Sequence, residues 1–337
     1  MKHLVVCCDG TWNSPDNSTI TNVAKISRRF SNEDTLGNPQ IIYYHSGVGT
    51  SSFFDLSHWI GGAFGVGLSS IIIDLYRFLI QNYVEDDKIT LLGFSRGAYA
   101  VRSLASLIYN CGILHKIYED KIPLAYELYR RTDSPSDPMG IDSILFRKNY
   151  AREASIHCIG VWETVGSLGI PGHISRRIRK LWEFHDVSLS PNVQSAFHAL
   201  AIDEHRKSFS PTLWELPHNT NYCPPGQLPK QVLKQMWFCG SHSNVGGGCR
   251  VTGLSDVALN WMIDNVIACG LSCGKDGIEE NPLGYLIKSR TGVFCLIPLQ
   301  YRPILQNSNT NEEIHPSVRL RHLKLANYSP RNIGSIL

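Results

Sequence analysis

The segment Gly93-Phe94-Ser95-Arg96-Gly97 constrains the fold of this chain more than any other part of its sequence. It has the pattern G-x-S-x-G and stands between a short apolar run, 88–93, and a helical pattern of small residues, 97–109. Where a strand turns sharply into a helix, flanking glycines let the backbone pass closely and leave the serine hydroxyl exposed at the end of the strand. The segment therefore predicts a strand, a tight turn and a helix, with Ser95 as a candidate nucleophile.

Strands and helices are predicted to alternate along most of the chain. Apolar runs of strand length occur at 3–8, 40–44, 88–93, 155–162 and 235–239, and helical spacing of apolar residues at 20–30, 67–83, 97–109, 122–131, 193–207 and 254–268. Such alternation favours parallel pairing of the strands through helical crossovers. We predict an α/β fold of the α/β-hydrolase-like kind, a mainly parallel doubly wound sheet in one domain spanning 1–337.

Two long intervals do not follow the alternation. The interval 114–154 is polar, and the interval 172–234 contains a basic run and a proline-rich loop at 217–229. Insertions of this length in open α/β folds commonly lie at the carboxyl ends of the strands, where ligands bind. Both are predicted to form a helical cap or lid.

Composition excludes several classes of protein. Hydrophobic residues make up 43% and charged residues 18%, which excludes a disordered chain. The net charge of +3 is too small for a protein that mainly binds nucleic acid. No signal peptide is apparent, the apolar stretch 59–80 carries charges and glycines, and the ten cysteines lack disulfide-like spacing. We expect reduced thiols and a cytoplasmic location, with export by a route that needs no signal peptide left open.

A nucleophilic serine needs a base and an acid that orients the base, and in this fold the chain order is serine, acid, histidine. His242 follows the predicted strand 235–239 and begins a loop with three successive glycines. Glu163 directly follows the predicted strand 155–162. We therefore predict His242 as the base and Glu163 as the acid, with Asp203 and Asp256 as alternative acids.

Backbone N–H groups near the serine are candidates for stabilising an oxyanion. One donor is expected from Arg96 at the start of the helix, and a second from Gly10 or Thr11, which follow the first strand. Asp9 is expected to fix that loop by hydrogen bonds rather than to take part in chemistry.

Taken together, six segments resemble a known family. They are CDGTWN at 8–13, GVGT at 47–50, GFSRGA at 93–98, GVWETVG at 160–166, HALAIDE at 198–204 and HSNVGGG at 242–248. The chain resembles, from residue 4 to about 333, the uncharacterised α/β-hydrolase domain family that includes the catalytic domains of type VI secretion phospholipase effectors. The resemblance implies a serine esterase or phospholipase in which Ser95 and His242 are catalytic.

The chain departs from the family pattern at two positions. The family usually has Asp where this chain has Glu163, and also where it has Asn244. Glutamate can orient the histidine after a small backbone adjustment, whereas position 244, two residues past His242, suits a role in the loop. His198 and Asp203 share one predicted helix and are candidates to line the site, with a packing role for His198 equally open.

The expected substrate is a carboxylic ester, with a lipid ester as the first expectation. No cofactor is expected, and no metal is expected because the histidines lack metal-ligand spacing. The basic amphipathic segment 174–182 is a candidate for peripheral membrane contact or, alternatively, a solvated basic helix. Two alternative functions stay open: a small-acyl esterase or thioesterase, and a catalytically impaired pseudo-hydrolase that acts as a binding module.

Overall fold

A computed structural model of the 337-residue chain describes residues 1–10, 19–47, 63–165, 188–216 and 231–333. The strands are β1 His3–Cys8, β2 Gln40–His45, β3 Lys88–Phe94, β4 Ile113–Leu114, β5 Ala151–Arg152, β6 Ile156–Trp162, β7 Val193–Ala201, β8 Val232–Phe238 and β9 Glu312–Ile314. The α-helices are α1 Asn22–Ser27, α2 Ala63–Asn82, α3 Arg96–Cys111, α4 Ile122–Arg130, α5 Ile141–Tyr150, α6 His242–Gly246, α7 Gly253–Ala268 and α8 Pro316–Lys324.

Seven strands form one sheet in the order β2-β1-β3-β6-β7-β8-β9, and every adjacent pair is parallel. The fold is therefore α/β and doubly wound, of the α/β-hydrolase-like kind, as the sequence predicts. The register aligns Cys8 with Gly93, Phe94 with Trp162, and Trp162 with Ala199. The carboxyl ends of β1, β3, β6 and β7 consequently lie at nearly the same level along one edge of the sheet.

Helices cover both faces of the sheet. In β1, Leu4 and Val6 belong to a buried cluster that includes side chains of α2 and α3, whereas Val5 belongs to a second cluster with α1 and α7. Successive side chains of a strand point to opposite faces, so a strand covered on both sides is mostly apolar. All six residues of β1, HLVVCC, are buried; five are apolar, and His3 pairs with Asp34 at 3.0 Å.

One predicted element has the wrong type. The segment 193–207, predicted as a helix, contains strand β7, which pairs with β6 on one side and β8 on the other. Its Ala- and Leu-containing sequence VQSAFHALA has good helix formers, and burial on both faces removes the alternation that would indicate a strand. Tertiary pairing overrides the local preference, and His198 and Asp203 therefore do not share a helix.

The first predicted cap interval, 114–154, holds α4 and α5 and ends in β5, which pairs antiparallel with β4. Side chains of α4 and α5 join the same buried cluster as α2 and α3. Of the second interval, 172–234, the structure describes 188–216 and 231–234, which include β7 and the start of β8. A capping role for these intervals stays a prediction.

None of the helices in the described parts of the chain combines the length and apolar character needed to cross a membrane. The nine cysteines within those parts are free thiols, most of them buried. The basic segment 174–182 lies outside the described residues.

Candidate active site

Ser95 occupies a strained turn between β3 and α3. Its backbone has φ 57° and ψ −117°, a left-handed φ that a residue with a side chain rarely adopts. Its N–H donates to the carbonyl of Trp162 at 3.0 Å, and its carbonyl accepts from Tyr99 N–H at 3.2 Å. Strain of this kind persists only where the surroundings hold it, and it is concentrated at functional sites. The geometry is that of a nucleophile elbow at the carboxyl edge of the sheet.

The two glycines of the G-x-S-x-G segment allow this turn to pack closely. A Cβ on Gly97 would lie 2.1 Å from the carbonyl oxygen of Cys8, and a Cβ on Gly93 would lie 2.6 Å from the carbonyl oxygen of Gly97. No heavy-atom contact is possible at those separations. The start of α3 therefore rests directly on the end of β1, which brings the loop after β1 beside Ser95.

Two of the predicted oxyanion donors lie beside Ser95. Arg96 is the first residue of α3, so its N–H belongs to the N-terminal turn of the helix directly after Ser95. Gly10 is close enough that a Cβ on it would contact Ser95 Cβ at 3.4 Å. The Gly10 N–H donates to Asp9 Oδ1 at 2.7 Å, and Thr11 lies outside the described residues.

Asp9 is buried and holds the backbone around the end of β1. Its Oδ2 accepts hydrogen bonds from Thr21 Oγ1 at 2.5 Å and from the Tyr44 hydroxyl at 2.8 Å. Burial, together with the Asp9 charge, raises the pKa of Tyr44, so this hydroxyl stays protonated as a donor. These contacts join the end of β1 to the start of α1 and to β2, and a role of Asp9 in fixing the loop after Gly10 stays a prediction.

His242 and Glu163 are in direct contact at the same edge. His242 Nδ1 lies 3.1 Å from Glu163 Oε2, and both side chains are buried or nearly so. The imidazole ring lies between two aromatic rings, with centroid distances of 4.7 Å to Phe94 and 5.2 Å to Phe209. Phe94 immediately precedes Ser95, so the histidine packs against the residue before the candidate nucleophile. A carboxylate on Nδ1 favours the tautomer that leaves Nε2 as a proton acceptor.

Glu163 is fixed by contacts that the sequence does not indicate. Its Oε1 accepts from Ala201 N–H at 2.7 Å and from Arg302 Nη1 at 2.8 Å, and its Oε2 accepts from Arg302 Nη2 at 2.9 Å. Burial alone would raise the pKa of this carboxyl, but Arg302 and His242 outweigh burial and hold the pKa well below its usual range. Glu163 is therefore an anion, with one oxygen directed at His242. Its φ of 51° is also left-handed.

A second buried ion pair lies on the backbone side of His242. Glu204 Oε2 accepts from His242 N–H at 3.2 Å, and its two oxygens also accept from the guanidinium of Arg206 at 2.8 Å each. Burial raises the pKa of Glu204, but Arg206 reverses the effect and leaves it lowered. Glu204 thus orients the first residue of α6, which carries the histidine.

The two alternative acids have other partners. Asp203 Oδ2 accepts from Gly240 N–H at 2.7 Å and from the Tyr328 hydroxyl at 3.0 Å, and burial raises its pKa. Asp256 binds Lys25 at 2.6 Å from the first turn of α7. Of the three predicted acids, Glu163 is the one that contacts His242.

Asn244 has the contacts of a loop residue. Its Oδ1 accepts from Ser241 N–H at 3.2 Å and from Ile287 N–H at 2.9 Å, and its Nδ2 donates to the carbonyl of Tyr285 at 3.2 Å. The amide therefore caps the N-terminus of α6 and ties it to the chain after α7. Because one of its partners is a carbonyl, an amide donor fits here in a way that a carboxylate does not.

His198 is buried in β7 and supports the turn that carries Glu163. Its Nε2 accepts from Thr164 N–H at 3.1 Å, so its Nδ1 carries the proton and donates to Gln235 Oε1 at 3.2 Å. Burial and the nearby Arg102 lower the pKa of His198 to about 3, which keeps the ring neutral. This is a positioning role, and the geometry does not direct the ring at Ser95.

The residues that sequence reasoning missed are Arg302, Glu204 and Phe209. Glu204 follows Asp203 after β7, so its position at a strand end was a usable signal. Arg302 lies in the irregular chain between α7 and β9, without a motif or periodic pattern. In the described residues, no group of three His, Cys, Asp or Glu side chains is arranged to hold a metal.

Comparison with known proteins gives three findings. The family model described as "T6SS, Phospholipase effector Tle1-like, catalytic domain" matches residues 2–265. An uncharacterized protein of Saccharomyces cerevisiae is 29% identical over 267 residues, which cover 70% of this chain and 38% of that protein. A crystal structure of an uncharacterized protein from Pseudomonas aeruginosa aligns with a TM-score of 0.46 and 18% identity, covering 81% of this chain and 46% of that one. The chain thus spans less than half the length of both.

Proposed function

The chain belongs to the T6SS phospholipase effector Tle1-like catalytic-domain family, and on that premise we propose that it hydrolyses carboxylic esters of lipids with Ser95 as nucleophile. The family supports a phospholipase-type hydrolase. The observation that carries the finer proposal is the 3.1 Å contact between His242 Nδ1 and Glu163 Oε2, at the edge of the sheet where Ser95 occupies a strained strand-to-helix turn.

In the proposed reaction, His242 Nε2 removes the proton from Ser95 Oγ as this oxygen attacks the acyl carbonyl. The tetrahedral oxyanion accepts hydrogen bonds from Arg96 N–H and from a second donor, which is Thr11 N–H or, once it leaves Asp9 Oδ1, Gly10 N–H. The C–O ester bond then breaks, and the leaving alcohol takes the proton from His242. Water, deprotonated by the same histidine, hydrolyses the acyl-enzyme and releases a fatty acid and free Ser95.

Glu163 stabilises the imidazolium that forms in both steps. Arg302 Nη1 and Ala201 N–H donate to Glu163 Oε1, and Arg302 Nη2 donates to Oε2, the oxygen that also contacts His242. These hydrogen bonds fix the glutamate side chain in one orientation, so its extra methylene does not prevent it from taking the place of the aspartate that the family usually has. The acid function does not require position 244, where Asn244 makes loop contacts.

The proposed substrate is a membrane phospholipid, in keeping with the family, and no cofactor enters the reaction. The proposed location remains cytoplasmic or peripheral to a membrane. A preference for short soluble esters would identify a small-acyl esterase instead.

The test is hydrolysis of p-nitrophenyl esters of increasing acyl length and of phospholipid vesicles. We expect activity that rises with chain length, falls by about 10³-fold or more in Ser95→Ala, and falls strongly in Glu163→Gln. Ser106→Ala on the same helix is the matched control, because its hydroxyl only donates to the carbonyl of Arg102, and it should act like the native protein. Equal rates for native and Ser95→Ala would refute the proposal and favour a binding module.

A further inference from the structure

A short apolar loop, residues 291–301 with the sequence TGVFCLIPLQY, is unusually exposed. The exposed fractions are 87% for Leu296, 50% for Leu299 and 36% for Tyr301. Single exposed apolar residues are common on protein surfaces, but several within six residues of chain are a feature of interaction surfaces. We call residues 291–301 the apolar loop.

The apolar loop lies next to the candidate active site. Ile297, on its inner side, packs against Val165 and Phe209. Val165 is two residues after Glu163, and the Phe209 ring is the one that contacts His242. One aromatic ring therefore separates the inner side of the loop from the proposed base, while Leu296 and Leu299 face outward.

Hydrogen bonds hold the apolar loop in this conformation. Arg290 donates from Nε to the carbonyl of Ile297 at 3.0 Å and from Nη2 to the carbonyl of Cys295 at 2.7 Å. The N–H of Lys207 donates to the Pro298 carbonyl at 3.0 Å. Because hydrogen bonds fix its backbone from two sides, the loop loses little conformational entropy when its leucines bind another surface.

The exposed charge on and around the apolar loop is positive. Residues 281–311 contain no Asp or Glu, and neither do residues 205–214, which lie against the loop. The same stretches contain five Lys and Arg residues; Arg302 is buried against Glu163 and Arg206 is paired with Glu204, and of the other three Lys207 and Lys288 are exposed. Apolar side chains within a basic surround are complementary to a bilayer of anionic phospholipid, because the leucines enter the headgroup boundary while the cations meet its charge.

We propose that the apolar loop docks the protein on an anionic phospholipid bilayer, inserting Leu296 and Leu299 beside the site. The biological use of this docking rests on the proposed function, because a docked loop would bring lipid to Ser95. The docking itself can be measured without catalysis. It involves a different surface from the basic segment 174–182.

The test is co-sedimentation of the full chain, as Ser95→Ala, with phosphatidylcholine vesicles with and without phosphatidylserine. Leu296→Asp should lower the partition coefficient about tenfold or more, as expected for losing one buried leucine. Lys207→Gln should lower it by about fivefold on phosphatidylserine vesicles and leave it unchanged on neutral ones. Ile117→Asp is the matched control, since Ile117 is 81% exposed on the turn Lys116–Lys121, which is not part of the apolar loop, and it should bind like the parent.

Unchanged vesicle binding by Leu296→Asp would overturn the proposal. So would a change in oligomeric state by light scattering without loss of vesicle binding, because it would show that the loop binds protein. In the Ser95-containing chain, Leu296→Asp should keep hydrolysis of a soluble short-chain ester and lose hydrolysis of vesicles. Vesicle binding without any ester hydrolysis would refute the proposed function and leave the docking surface standing.

Discussion

Removing the guanidinium of Arg302 should destabilise the protein through Glu163. Arg302 is buried and donates four hydrogen bonds, two to Glu163 and one each to the carbonyls of Ala201 and Phe209. The substitution Arg302→Met leaves the carboxylate buried without its bidentate cation. Breaking a buried ion pair from one side costs about 3–5 kcal/mol, and we expect the lower end because His242 still contacts Glu163.

A double-mutant cycle tests the coupling between Arg302 and Glu163. Glu163→Gln alone should also destabilise, because it leaves the Arg302 cation buried without a counter-ion. Arg302→Met combined with Glu163→Gln removes both charges, so its loss of stability should be smaller than the sum of the single losses by about 2 kcal/mol or more. Arg302→Lys is the control that keeps the charge but loses the two-pronged geometry.

The assay is urea unfolding followed by tryptophan fluorescence, repeated from about pH 5 to about pH 8. In the native protein the pKa of Glu163 is lowered, so its stabilising contribution is present above the unfolded-state pKa and is lost only as pH falls through the folded-state value. Without Arg302, burial raises that pKa, and protonation relieves the buried charge as pH falls. The difference in the free energy of unfolding between the native protein and Arg302→Met should therefore become smaller as the pH falls. Additive losses, or a gap that does not depend on pH, would refute the account.

Three further predictions follow from single positions. Gly97→Ala should cost more than about 3 kcal/mol in urea unfolding, because the added Cβ would meet the carbonyl of Cys8 at 2.1 Å; a mild loss would mean that α3 does not rest on β1 as described. Asn244→Asp should change ester hydrolysis by less than about tenfold, since its partners are backbone groups of Ser241, Tyr285 and Ile287 rather than His242, and a large gain would show that position 244 supplies the acid. Asp203→Asn should likewise keep the hydrolysis rate, and a loss comparable to that of Glu163→Gln would contradict the assignment of the acid.

Much of the fold could be predicted from sequence because its signals are local. A buried strand followed by a small-residue helix predicts β3 and α3 to within two residues at each boundary. Strand β7 could not be predicted in this way, because pairing on both edges and burial on both faces, rather than its own propensity, make it a strand.

The candidate site was predictable to the extent that its parts follow strands. Ser95 and Glu163 come directly after β3 and β6, and His242 comes shortly after β8, so a parallel sheet gathers them at one edge. Sequence favoured Glu163 but left Asp203 and Asp256 open, since all are acids near element ends. The structure distinguishes them by contact, because the Glu163 carboxylate is the one of the three that meets His242.

Arg302 could not have been found by the same reasoning. It reaches Glu163 across 139 residues of sequence from a segment without regular secondary structure. No periodicity or spacing links the two positions, and only the packing of that segment over the ends of β6 and β7 joins them. A buried cation that fixes the carboxylate beside a candidate base is a tertiary feature, and its sequence signal is a single arginine.

The central claim is that Ser95 is an activated nucleophile, and covalent labelling tests it most directly. The native chain is treated with a fluorophosphonate, which reacts with serines activated by a neighbouring base, and the modified peptide is identified by mass spectrometry alongside residual ester hydrolysis. We predict one phosphonylated site, Ser95, with loss of hydrolysis in proportion to labelling, and no labelling of Ser95→Ala or of His242→Ala. Labelling at another serine, or full labelling of Ser95 with hydrolysis unimpaired, would contradict the account.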